Sequence, residues 1–546
     1  MNTRTISLHC LFIGIVKSGA MISCLSVILQ GTVTASTGED SSPPPAYLRG
    51  EVLRIGNEVQ LLVDDYIIED RWKLTRKVGN VVKHLGNPVI VQDKPWEGQM
   101  GTYPCALYDE QTKKFRIYYD SFNLTNYFTP KSGAPSYSVC YAESEDGVNW
   151  TKPLLDGFPY GEYPRTNVVN MGIDGRRADA AQVMLNPDQS DPEKRFMIVY
   201  LSRGARLAYS SDGIHWKAEE KPMLNYHSDF PNHLVWVPEQ KLWYLYCRPF
   251  VRSNGRGTIP EGPRHTSRRL ALTTSSDLKN WSQPRIVLYP DERDEPDYDG
   301  VYVFRRHGVF IAMYAQMKQE PPAGQKIISA ESESDVYIAT SRDGVHWQRT
   351  WDRKPFLARG QAGTFDGGQV GWGMSPPIQI GEQELFYYFA TPKGQSHFYQ
   401  EASVGMARMR RDRFIGQYAG ELTGYLLTKE FILDGSKLVI NASAFPKVYY
   451  ERDTIGIRVE IFEAPDYDLS GDRFDALGRL VRDSKNMQEK PVKGFSMEDC
   501  DPIITENTAH VVTWKGKSDL SALKGRRVFV RFKMRHAGLY SFQIAP

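Results

Sequence analysis

The heptapeptide SEDGVNW at residues 144–150 returns as SSDGIHW at 210–216, SSDLKNW at 275–281 and SRDGVHW at 341–347. The tryptophans that close it, Trp150, Trp216, Trp281 and Trp347, are spaced 66, 65 and 66 residues apart. A constant period of this size marks a repeat architecture and removes most single-core folds from consideration. One more period reaches GMARMRRDRF at 405–414, where Phe414 stands in place of the Trp, a fifth and degenerate copy. Other features recur in step. A short strand pattern precedes each turn: YSVCYAES, ARLAYSS, RLALTTS, DVYIATS and SVGMARM. Before that comes an alternating aromatic strand: KFRIYYD, RFMIVYL, KLWYLYC, VFIAMYA and ELFYYFA. The first three of these follow hairpin-like turns. Each unit therefore holds four antiparallel strands. Five units predict a five-bladed β-propeller over residues 49–424.

The repeated turn reads as structural. Its Ser and Asp accept backbone N–H bonds, its Gly permits positive φ, and its Trp packs between blades. A catalytic group is not repeated once per blade, so His215 and His346, inside these turns, are also read as structural. After residue 424 the period is lost. GYLLTKEFILDGSKLVINASA, IGIRVEIFEA, TAHVVTWKG and RRVFVRFKM alternate apolar and polar residues, which predicts a β-sandwich over 425–546 and an all-β chain.

The 546 residues suit two or three domains, and 67 basic against 65 acidic residues leave a formal net charge of +2 that favours no nucleic-acid partner. The N-terminus reads as an export signal over residues 1–36, with Arg4, an apolar stretch and small residues near Ala35 and Ser36. An acylated Cys24 is the alternative to simple cleavage. The Pro-rich stretch at 37–48 is a linker, and no later segment has the ~18 apolar residues that cross a bilayer. Cys105, Cys140, Cys247 and Cys500 show no zinc spacing and are expected as buried thiols, with Cys105–Cys140 the pair to test for a disulfide.

Five blades with SxDGxxW or SxDLxxW turns, followed by a sandwich, resemble the five-bladed propeller glycoside hydrolases of families 32 and 43 and their relatives. HSDFPNHLVWVPEQKLWYLYCR, GTFDGGQVGWG and DLSALKGRRVFVRFKMRHAGLYSFQI resemble exported bacterial proteins that carry a family 32 N-terminal domain. The resemblance implies an axial site with three acidic groups: a base or nucleophile in blade one, an Asp in blade two that tunes the acid, and a Glu acid in a later blade. Family 43 implies inversion and family 32 retention. The chain lacks NDPNG in blade one and an EC pair, so a sugar-active propeller is implied without a particular sugar.

Glycoside hydrolysis needs two carboxyl groups across the scissile bond, one protonated and one ionised. The acid's pKa must be raised by burial or by a like charge. Candidates precede the first strand of each blade. Blade one offers Glu97, beside Trp96 as a stacking surface, while Asp64 and Asp65 read as turn residues. Blade two offers Asp179, near Arg176 and Arg177; Asp188 and Asp191 read as solvated. Blade three offers Asp229, flanked by His227 and Asn232, with Arg248 on the next strand. Blade four offers Asp297 and Asp299 in DERDEPDYDG, readable as a raised acid, a solvated loop or a structural calcium site. Blade five offers Asp366, with Trp372 and His397 lining a subsite. The expected roles are Asp229 or Glu97 as base, Asp179 as pKa modulator and Asp299 as acid. The expectation is an exported glycoside hydrolase acting on a poly- or oligosaccharide. A carbohydrate-binding propeller without catalysis is the alternative, and a protein-interaction propeller a third reading.

Overall fold

The computed structural model describes residues 52–98, 103–169, 178–202, 204–226, 228–229, 232–249, 268–295, 297–317, 333–350, 352–394, 401–444, 456–464, 473–474, 477, 480–481 and 490–546. Residues 1–51, which hold the expected signal and the whole linker, lie outside them. The repeat folds into successive antiparallel sheets. Blade one is Cys105–Asp109, Lys114–Phe122, Tyr137–Ser144 and Val168–Val169, in that order across the sheet. Blade two is Asp179–Leu185, Phe196–Leu201, Ala205–Ser210 and Lys217–Ala218, and blade three His233–Val237, Leu242–Cys247, Leu270–Ser275 and Arg285–Leu288. Blade four is Asp297–Arg306, Val309–Met317, Ser334–Ser341 and Gln348–Arg349. Blade five has an interrupted inner strand, Gln369–Trp372 and Ile378–Ile380, then Gln383–Thr391 and Ser403–Arg410. Its outer strand comes from the start of the chain, Val82–Lys83 and Ile90–Val91.

Side-chain hydrogen bonds join each blade to the next. Val183 N donates to Cys105 Sγ at 3.1 Å, Leu234 N to Gln182 Oε1 at 2.6 Å and Val303 N to His233 Nε2 at 2.9 Å. Ser334 Oγ donates to the Val370 carbonyl at 3.0 Å, and Ala106 N to Ser375 Oγ at 3.0 Å, which returns the circuit to blade one. Cys105, Gln182, His233, Tyr302 and Ser375 thus hold equivalent positions around one axis.

The recurring heptapeptide locks the outer parts of the blades. In three copies the Ser Oγ accepts from the Gly N–H, at 2.9 Å for Gly147, 2.8 Å for Gly213 and 2.9 Å for Gly344. The neighbouring blade then sends a tyrosine hydroxyl onto that Gly carbonyl: Tyr387 onto Gly147 at 2.6 Å, Tyr118 onto Gly213 at 2.8 Å and Tyr246 onto Gly344 at 3.0 Å. Trp150, Trp216 and Trp347 pack edge-on against the same tyrosines. Asp212 is partly buried, which works against its charge. Bonds from His215 and the Ile214 and His215 N–H groups outweigh this and hold it down at about 2. A carboxyl so acidic serves as a fixed acceptor and not as a proton donor near neutrality. Blade three departs from the rule. Leu278 replaces the Gly at φ +62, and Val199 takes the register place that Tyr118 has in blade one.

Gly344 and Gly308 have nearly equal backbone angles, φ +76 and φ +75, but different surroundings. A Cβ on Gly344 would stand 2.5 Å from Tyr246 Oη, whereas one on Gly308 meets nothing within 4 Å. Gly308→Ala is expected to cost about 1 kcal/mol, from the left-handed backbone, and Gly344→Ala about 2–3 kcal/mol. Denaturant midpoints of the two variants measure the difference.

The sandwich is larger than the sequence period suggests. One of its sheets joins Thr75–Val78, Ile415–Ala419, Ala537–Ala545, Lys437–Ala444 and Asn507–Val511, with Gln60–Leu61 added on Ala537–Ala545. The other joins Ile68–Trp72, Gly424–Thr428, Arg527–Arg535 and Phe431–Ile432, with Gly456–Glu463 also on Arg527–Arg535. Residues 60–78 and 415–424, expected in the propeller, therefore belong to the sandwich. Their partners lie hundreds of residues away, and no local pattern announces such pairing. The degenerate fifth turn has its own reason: Arg413, buried just before the Phe414 that replaces the Trp, donates to Asn441 Oδ1 at 2.9 Å and the Ala442 carbonyl at 2.9 Å. The fifth copy docks the sandwich rather than another blade. Asp64 is likewise a docking group, bound by Arg342 Nε at 2.7 Å from the blade-four turn. Cys105, Cys140, Cys247 and Cys500 are buried free thiols, and Cys105 and Cys140 are not bonded to each other.

Candidate active site

The inner strands begin together on one face of the ring, and this mouth is where unrepeated side chains meet. Beneath it the axis is polar. His233 is fully buried, and burial pushes its pKa down to about 3. Its Nε2 accepts from Val303, so the neutral ring carries its proton on Nδ1, which is buried without a partner. The amide Oε1 and Nε2 of Gln369 are buried and unpartnered as well.

Blades one and two meet at the mouth through a carboxylate that the sequence reading passed over. Asp120, near the end of Lys114–Phe122, is only 3% exposed, and its Oδ2 accepts from Ala180 N at 2.5 Å. Ala180 has φ +50 and lies in a bulge, since Asp179 pairs with Leu201 while Gln182 pairs with Val199. Asp120 thus holds the strained backbone that sets Asp179 at the start of blade two. The available signal was a charged residue closing an otherwise aromatic strand, at the register where blade two has Leu201.

The other candidates separate by environment. Asp229 stands at the mouth of blade three, roughly half exposed, with Arg248 Nη1 at 2.6 Å from its Oδ2. Ser228 Oγ accepts from Arg248 N at 3.0 Å, which ties this loop to the neighbouring strand. Asn232 is buried and donates to the Ser228 and Asp229 carbonyls, both at 3.1 Å, so it shapes the loop. Asp179 begins the inner strand of blade two, and Asp297 that of blade four, where Asp299 is the third residue, in a bulge between Tyr298 and Gly300. Trp372 ends the first part of the blade-five inner strand. The side chains of these four, and His227 and His397 entirely, lie outside the described residues.

Glu97 and Asp366 are committed elsewhere. Glu97 accepts from Asp93 N at 2.7 Å, Lys94 N at 2.9 Å, Tyr119 Oη at 2.6 Å and Lys152 Nζ at 2.8 Å. These bonds clamp a loop onto the outer part of blade one. Trp96 beside it is buried, with Nε1 donating to Asn167 Oδ1 at 2.7 Å, so its ring offers no sugar-stacking face. Asp366 is buried against Lys83, with Thr364 Oγ1 at 3.1 Å and Tyr388 Oη at 3.2 Å, and seals the junction with the N-terminal strand. The acidic run of blade four is partly an ion network. Asp294 meets Arg349 at 3.2 Å and Arg353 at 3.3 Å, while Asp291 meets Arg353 at 2.5 Å. Among the described residues no cluster of His, Cys, Asp and Glu is placed to hold a metal. No described helix is long and apolar enough to cross a membrane. Burial raises the pKa of Glu384, but it pairs with Arg306 at the opposite end of the blades.

No family profile matches the chain. The chain is similar to the β-1,2-mannobiose phosphorylase of Thermoanaerobacter sp. (strain X514), 25% identical over 175 residues, which are 30% of this chain and 53% of that protein. The match thus spans about half the length of that relative. Among solved structures, one described as belonging to the GH130 family of mannoside phosphorylases, with glycoside hydrolases that target β-1,2-mannosidic linkages, superposes with a TM-score of 0.41 at 14% identity. It covers 61% of this chain and 95% of that one. The catalytic domain of the Coprinopsis cinerea GH62 α-L-arabinofuranosidase superposes with a TM-score of 0.40 at 11% identity, over 61% of this chain and 97% of that one.

Proposed function

We propose that this chain is an exported carbohydrate-active enzyme that cleaves glycosidic bonds of a poly- or oligosaccharide at the mouth of the propeller. The observation that carries the reading is the Asp120–Ala180 bond, which spends a buried carboxylate on fixing the strained strand start at Asp179. The partial likeness to a glycan-cleaving phosphorylase supports it. Asp179, Asp299 and Asp229 are the carboxylates proposed for acid, base and modulating roles, with Arg248 bound to Asp229. Asp120 is a positioning residue. Glu97 and Asp366, whose oxygens are occupied by partners, leave the proposed catalytic set. Hydrolysis in the manner of families 32 and 43 is the reading preferred here.

Phosphorolysis is the second reading, favoured by the phosphorylase likeness. Incubation of the purified chain with a broad set of oligosaccharides, with and without inorganic phosphate, separates the readings. Free reducing sugar at equal rates in both arms is the expected result. Sugar phosphate formed only in the phosphate arm replaces hydrolysis by phosphorolysis. Binding without any product in either arm leaves the non-catalytic propeller.

A further inference from the structure

The strands Lys114–Phe122 and Tyr137–Ser144 of blade one run out at the mouth, and the segment joining them carries the short helix α1, Leu124–Phe128. The segment is firmly held. Asn123 caps the helix by accepting from Asn126 N at 3.0 Å, and Asn126 Nδ2 donates to Tyr160 Oη at 3.0 Å. Tyr160 Oη in turn donates to the Pro135 carbonyl at 2.7 Å. Leu124 and Asn126 are buried by this arrangement. What faces outward is aromatic: Tyr127 is 51% exposed and Phe128 69%. Phe122 and Tyr137 lie stacked, centroids 4.1 Å apart and 13° from parallel. Tyr127 stands edge-on to Phe122 at 5.4 Å and to Tyr137 at 6.3 Å, with Phe128 edge-on to Tyr127 at 5.3 Å.

Two adjacent large aromatics exposed on a rigid support forgo burial that a purely structural loop would seek. The ledge is also continuous with the mouth. Phe122 follows Asp120 by two residues, about 7 Å along a strand, and Asp120 holds the residue next to Asp179. Flat, amphipathic ring faces suit the C–H faces of sugar rings, with the Tyr127 hydroxyl at hand for their polar edges. We propose that this ledge is a carbohydrate-binding subsite that receives sugar units of the substrate beyond the scissile bond. The proposal rests on the reading of the mouth as the site of glycan cleavage.

The test compares the wild-type chain with Tyr127→Ala/Phe128→Ala, and with Phe128→Tyr as the conservative variant. Each is measured on a glycan array of length series from disaccharides to hexasaccharides, and for turnover of the disaccharides and hexasaccharides that wild type cleaves. Wild type is expected to gain affinity with length. The double variant is expected to lose about tenfold on hexasaccharides, with disaccharide affinity and kcat unchanged, an unchanged thermal midpoint, and Phe128→Tyr retaining wild-type binding. If the double variant keeps the dependence on length, or wild type shows none, the ledge is not a subsite while the cleavage reading stands. If wild type neither binds nor cleaves any glycan, the cleavage reading fails and the ledge proposal falls with it.

Discussion

Asp179→Asn is expected to lower kcat on any cleaved glycan by about 10²–10⁴-fold, the range a positioned acid–base group contributes. Glycan affinity should stay near wild type, because the exchange conserves size and removes only charge and proton exchange. Asp120→Asn separates positioning from catalysis. Its loss of kcat should be smaller, and the acid limb of the kcat/KM profile should move to lower pH. The sign follows from electrostatics. An anionic Asp120 beside the strand start would disfavour a second negative charge there, so neutralising it would let a neighbouring carboxyl ionise more easily. A variant that only loosened the fold would lower the rate without moving the limb. Full activity in Asp179→Asn would remove it from the catalytic set.

Asp109→Asn is expected to destabilise the propeller by about 3–5 kcal/mol, the cost of leaving buried charges without a partner. Asp109 is fully buried where blades one and two meet, at the end away from the mouth, with Arg116 Nη2 at 2.9 Å and Arg195 also bound. Both guanidinium groups lie over Phe196, with centroid distances of 5.2 Å and 4.5 Å, and have little room to reach water. Burial works against the Asp109 charge, but the Arg195 and Arg116 bonds outweigh it and hold its pKa below the usual range. A depressed folded pKa adds stability that is complete above the unfolded value near 3.9 and is lost as pH falls through the folded one. Wild type and Asp109→Asn should therefore differ most at neutral pH and converge below about pH 4. Denaturant midpoints across that range measure it. A constant gap would show that Asp109 acts through packing alone.

The fold was legible in the sequence wherever its determinants were local. The Ser, Asp, Gly and Trp of each heptapeptide lie within one turn, so their chemistry and their 66-residue spacing stand on the page of the sequence. The site was legible only in part. Asp179, Asp229 and Asp299 were found because each stands near the start of an inner strand. Asp120 was missed because it lies near the end of a second strand, where the pattern speaks of packing. Glu97 and Asp366 had the right position in the chain, and only their partners reveal what occupies them.

By itself, then, the sequence determined an all-β repeat, the turn that shapes each copy, and a set of unrepeated carboxylates near the starts of the inner strands. The tertiary structure decided which carboxylates are occupied. Glu97 is held by Lys152, 55 residues on, and Asp366 by Lys83, 283 residues back. It also decided that residues 60–78 complete the sandwich through strands at 415–428 and 537–545. The physical reason is the same in both cases. A turn states its preferences within a few residues, whereas a buried ion pair or an added strand depends on groups that only folding brings together.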